Sequence, residues 1–89
     1  MKQLEETFIG KGEVKGFSFT QIKKSNLAYL YIVDTGFGTH YEVFKHKENT
    51  QFNCISYPKS NSFGIWAWSY LSLDKATDKF ELLSIEKEF

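Results

Sequence analysis

Up to residue 70 the chain sets apolar and polar residues in short alternating runs, and beyond it the apolar spacing changes to three and four. An alternation of two puts every second side chain on one face of a β-strand, whereas steps of three and four collect on one side of a helix. Residues 13–22 carry Phe17 and Phe19 two apart, residues 23–26 are polar, and residues 27–34 are a dense β-branched and aromatic run, which predicts a hairpin. Gly36 and Gly38 suit a second turn; residues 39–47 then alternate again, turn at 48–50 and return as 51–57. Pro58, Ser60, Asn61 and Gly64 mark a loop, and the aromatic-rich run 65–70 reads as a fifth strand. Ser72 is a helix cap, and Leu73, Ala76, Phe80 and Leu83 form one apolar stripe, with Asp74 in the first turn and Lys87 near the end. The helix is predicted over 73–86. The fold class is therefore α+β, an antiparallel meander of four to five strands packed on one C-terminal helix, with residues 1–89 forming a single domain.

Register follows from the turns, because cross-strand partners share a face. Tight turns pair residues whose numbers sum to about 49 in the first hairpin, about 73 in the second and about 99 in the third. One face then collects Phe17, Phe19, Ala28, Leu30, Ile32, Tyr41, Val43, Phe52 and Cys54, and is the expected seat of the helix. The opposite face collects Ser18, Thr20, Tyr29, Tyr31, Val33, His40, Glu42, Phe44, His46, Asn53, Ile55 and Tyr57, half aromatic and half polar.

Composition narrows the chemistry. Eighty-nine residues supply one hydrophobic core rather than two, and an aromatic share of 18% fills it with few side chains. The single cysteine, Cys54, excludes an intramolecular disulfide. No apolar run approaches the roughly 18 to 20 residues of a membrane span, and the polar, acidic start is unlike a secretory signal, so a cytoplasmic location without membrane contact is expected. The eleven basic residues are all lysine and balance eleven acidic ones. Zero net charge gives no long-range pull toward phosphate or anionic lipid, and without arginine the bidentate fork for carboxylate, phosphate or guanine is missing.

Lys15-Gly16-Phe17-Ser18-Phe19-Thr20 resembles the aromatic ribonucleoprotein stretch of cold-shock domains and RNA-recognition motifs, a likeness that implies base stacking on strand rings. The register turns Phe17 and Phe19 toward the helix, away from any base, and favours a core role. His40, Glu42 and His46 share one strand face, but at about 3.3 Å per residue the two histidines stand roughly 20 Å apart, so only His40 and Glu42 can cooperate and no metal is expected. Cys54 and His46 would suit a nucleophile and its base, yet fall on opposite faces. Trp66, Trp68 and Tyr70 put three rings on one side of the last strand, for the core or for a surface. Gly36 and Gly38 lack the spacing of a phosphate loop.

Neither a catalytic constellation nor a cofactor motif emerges, so an enzyme is not expected. The chain as a whole resembles the short proteins of bacterial mobile elements and prophages, though no particular residue carries the likeness. The expected role is a protein-interaction or adaptor module, binding a protein partner or a second copy through Tyr29, Tyr31, Phe44 and Tyr57 or through an edge of the sheet. The alternative is weak binding of single-stranded nucleic acid by the same rings with Lys15, Lys23, Lys24, Lys45 and Lys47.

Overall fold

The computed structural model describes residues 3–85. Five antiparallel strands form the main sheet: β1 (Thr7–Ile9), β2 (Ser18–Lys24), β3 (Ala28–Asp34), β4 (Thr39–Lys45) and β7 (Ala67–Tyr70), in the spatial order β1-β2-β3-β4-β7. Between β4 and β7 the chain makes a separate two-stranded ribbon, β5 (Glu48–Asn49) with β6 (Cys54–Ile55). Helix α1 (Leu73–Ile85) ends the described chain, and the expected helix residue Glu86 and Lys87 lie outside it. The architecture is the α+β sheet on one helix that the periodicity predicts. No helix of the described residues is long and apolar enough to cross a membrane.

Two strand assignments change. Thr7–Ile9 joins the sheet as an edge, pairing Phe8 with Phe19, where no sheet strand was expected. The run 51–57 does not return alongside β4; it turns at 50–53, with Asn53 at a positive φ of 53°, and folds over the sheet instead. Phe52, expected under the helix, is 70% exposed, and the place beside β4 goes to β7.

The second hairpin has the expected register, Ala28 opposite Lys45 through Asp34 opposite Thr39. The first does not. Lys23 faces Leu30 next to the turn, but a bulge between Gln21 and Lys23 inserts Ile22, and beyond it Phe19 faces Val33. One extra residue reverses which side each later side chain takes. Phe17 and Phe19 therefore lie with Tyr29 and Tyr31, not with the helix, and Ser18 and Thr20 move off that face with them.

Both faces of the sheet are covered. On the helix side Ala28, Leu30 and Val43 are buried against Ala76, Phe80 and Leu83, with Tyr41, Trp68 and Tyr70 at the margin. Leu73, at the start of the stripe, stays 42% exposed. Ser72 caps α1: its hydroxyl oxygen accepts from the N–H of Lys75 at 3.4 Å and its carbonyl from that of Ala76 at 3.1 Å. The Ser84 and Ser25 hydroxyls, 2.8 Å apart, tie the far end of α1 to the β2–β3 turn. On the other side Phe19, Tyr29, Tyr31, Val33, Phe44, Ile55 and Ala67 form a second core, roofed by Leu4, Phe8, Val14, Phe17, Tyr57, Phe63 and Trp66. The roof consists of two arms, residues 3–17 and residues 54–66. Gly10 is needed where the first arm closes, since a Cβ there would meet Val14 and stand 2.9 Å from the Phe19 ring.

Candidate functional site

The four rings singled out from sequence do come together on the sheet face opposite the helix. Phe44 stacks on Tyr31 at a centroid distance of 5.7 Å and 8°, lies 5.5 Å from Tyr29, and meets the Tyr57 ring edge-on at 5.5 Å. The face is not open, however: Tyr29, Tyr31 and Phe44 have no exposed surface, and Tyr57 is half-buried above them. The expectation of an exposed aromatic surface is corrected, because the chain's own arms cover it. The Tyr29 hydroxyl donates to Gln3 Oε1 at 2.9 Å, and the Tyr31 hydroxyl donates to the Glu5 carbonyl at 2.7 Å while accepting from Gln21 Nε2. Burial pushes the Tyr31 phenol up to about 12.

Phe19 is 1% exposed and stacked on Phe8 at 4.7 Å, so the ribonucleoprotein-like string contributes to the core, as expected, though to the core on the other face. Among rings the fully exposed one is Phe37, at the tip of the β3–β4 turn, where Gly36 takes a positive φ of 89°. Trp66 joins the aromatic core edge-on to Phe44, while Trp68 and Tyr70 lie on the helix side. Lys47 and Lys79 rest over Trp66 and Trp68, at 4.9 Å and 3.9 Å from the ring centroids.

A cleft of about 930 Å³ opens where the two arms do not fully meet. Lys11, Gly12, Glu13 and Val14 form one wall and Tyr57, Pro58, Lys59 and Ser60 the other; Glu42 and Ser69, cross-strand neighbours on β4 and β7, contribute from the sheet. The walls are tied across the opening, since Glu13 accepts from the Ser60 hydroxyl at 2.8 Å and from the Ser60 N–H at 3.3 Å. Those bonds hold the exposed Glu13 carboxyl below its ordinary range.

Glu42 is the unusual residue of the cleft, a carboxylate only 5% exposed. Its Oε2 lies 2.8 Å from His40 Nε2, and its Oε1 accepts a short hydrogen bond from the Tyr57 hydroxyl. Where the carboxylate is ionised it can only accept, and the His40 ring nitrogen is then the donor. Burial, and next the charge of Glu42, hold the Tyr57 phenol far above its ordinary value, so Tyr57 is a neutral donor. His40 and Glu42 thus cooperate as their spacing suggests, in a hydrogen-bonded network. Among the described residues no group of three or more His, Cys, Asp or Glu could hold a metal ion.

His46 stacks on Tyr29 at 5.7 Å and reaches Glu48 at 3.7 Å. Cys54 borders a smaller hollow of about 390 Å³ beside Leu4 and Phe8, on the aromatic side rather than under the helix. Sequence reasoning missed Glu42 as the centre of a site. The available signal was a lone acid inside the alternating run His40, Glu42, Phe44, but its partner Tyr57 arrives from a segment whose fold has no period to read.

No family model matches the chain, and no curated protein or solved structure is similar enough to it to indicate kinship. The functional reading therefore rests on the cleft itself.

Proposed function

We propose that the protein is a protein-interaction module that binds an extended peptide segment of a partner along the free edge of β7, with one side chain entering the cleft. A single juxtaposition supports this reading: Ser69 belongs both to the sheet edge and to the cleft. Strand β7 ends the sheet, and the Lys45 N–H bonds to the Trp66 carbonyl, which sets the ladder parity. Trp66, Trp68 and Tyr70 therefore direct their backbone groups to β4, and Ala67 and Ser69 direct theirs outward. The Ala67 carbonyl is taken by the Gly64 N–H at 2.7 Å, which leaves Ser69 as the edge position beside the cleft. An added strand gains affinity from such backbone groups, and a pocket beside the edge supplies selectivity. The rings Tyr29, Tyr31 and Phe44, in contrast, are buried and offer bases no stacking surface, which weighs against binding of single-stranded nucleic acid through that face.

The substitution Ser69→Pro removes one outward N–H and no ladder bond, and an edge strand tolerates it. Binding is read by titrating pools of acetylated, amidated peptides of mixed sequence into the labelled protein and following amide shifts. The expected result is saturable shifts around Ser69 and Leu71, weakened about tenfold or more by Ser69→Pro. Binding that leaves these amides unmoved, or is indifferent to the proline, contradicts the reading.

A further inference from the structure

The cleft has an uneven distribution of charge. Its rim carries Lys11 and Lys59, exposed to water, whereas the sheet beneath contributes the buried carboxylate of Glu42. Solvent and salt screen the rim charges; they screen a 5% exposed group far less. A buried charge is costly unless another charge answers it. The two groups that touch Glu42 are the neutral Tyr57 phenol and the His40 ring, which answers the carboxylate with a charge only when it is protonated. Tyr57 and His40 also fix the carboxylate in place, so a ligand would meet a pre-oriented acceptor and lose little in ordering it.

We infer that the cleft selects a cationic side chain, a lysine of the bound segment, whose ammonium group pairs with Glu42. This rests on the peptide-binding reading above and adds the chemistry of the side chain that enters. Each carboxylate oxygen accepts one bond within the protein and keeps a lone pair for an ammonium donor. The aliphatic stem of a lysine would lie against Val14 and Phe63 in the cleft wall, as long cationic side chains commonly do on apolar surface.

The test compares two pools of acetylated, amidated peptides that differ only in a central residue, lysine in one and norleucine in the other. The unaltered protein should bind the lysine pool about tenfold tighter, and Glu42→Gln should reduce that preference, read as the ratio of its own two affinities, to about twofold or less. Equal binding of the two pools by the unaltered protein overturns the inference and leaves the peptide-binding reading standing. Binding of neither pool overturns that reading, and the inference with it. The comparison within the unaltered protein needs no variant, so it decides the matter even if Glu42→Gln does not fold.

Discussion

The two faces of the sheet bury similar numbers of apolar side chains by different means. Under the helix, a single regular element brings down Ala76, Phe80 and Leu83, and its own backbone bonds are satisfied internally. Opposite it, two mostly irregular arms, the first passing through the edge strand β1, bring Leu4, Phe8, Val14, Tyr57, Phe63 and Trp66 against the core of Tyr29, Tyr31 and Phe44. Irregular backbone must find its partners individually, and the tyrosine hydroxyls do part of this, anchoring the first arm at Gln3 and Glu5. The irregular cover leaves the cleft floored by the Glu42 carboxylate and a smaller hollow beside Cys54, and so the aromatic side becomes the side with chemistry.

The largest effects should come from emptying either core. Phe44→Ala and Phe80→Ala are each expected to cost on the order of 3 to 5 kcal/mol in denaturant unfolding, with Phe44 the more costly because four rings and the arms pack around it. A cost below about 1 kcal/mol for Phe44 would mean that the arms do not close the aromatic face.

A mid-sized effect separates the faces by pH. The unfolded chain releases a tyrosine proton near pH 10, but folded Tyr31 does so only at about 12. Its contribution is thus fully present below the unfolded value and is lost as pH rises from there through the folded one. For Tyr31 alone the loss is on the order of 2 to 3 kcal/mol, and Tyr57, shifted the same way, adds to it. Stability that stays level from about pH 10 to about pH 12 would contradict the burial of these phenols.

The smallest effect isolates an anchor. Tyr29→Phe keeps the ring and deletes the donor to Gln3 Oε1, so about 1 kcal/mol should be lost, together with faster amide exchange in residues 3–6. Unchanged exchange there would show that Tyr29 does not hold the first arm.

The same contrast explains what the sequence made legible. Helix α1, the β3–β4 register and the membership of Ala28, Leu30 and Val43 under the helix all follow from periods of 3.6 and 2. The side taken by Phe17 and Phe19 was not readable, because Ile22 enters as a bulge and nothing in an alternating run marks the extra residue. The arms escaped for a related reason: 51–57 has strand-like composition, yet the sheet position beside β4 goes to β7, and the run covers a face instead of extending it. Grouping Tyr29, Tyr31, Phe44 and Tyr57 was within reach of register arithmetic. Their closure was not, since it depends on contacts between residues far apart in the chain.

Ring accessibility tests the account most directly. A soluble, uncharged paramagnetic agent broadens side-chain proton resonances according to their exposure, and every ring here can be followed in one titration. The account expects Phe37 and Phe52 to broaden at the lowest concentrations, while Tyr29, Tyr31 and Phe44 stay sharp until the protein unfolds. Broadening of Tyr29 and Tyr31 alongside Phe37 would contradict it, because the aromatic face would then be open and the cleft above Glu42 would have no walls.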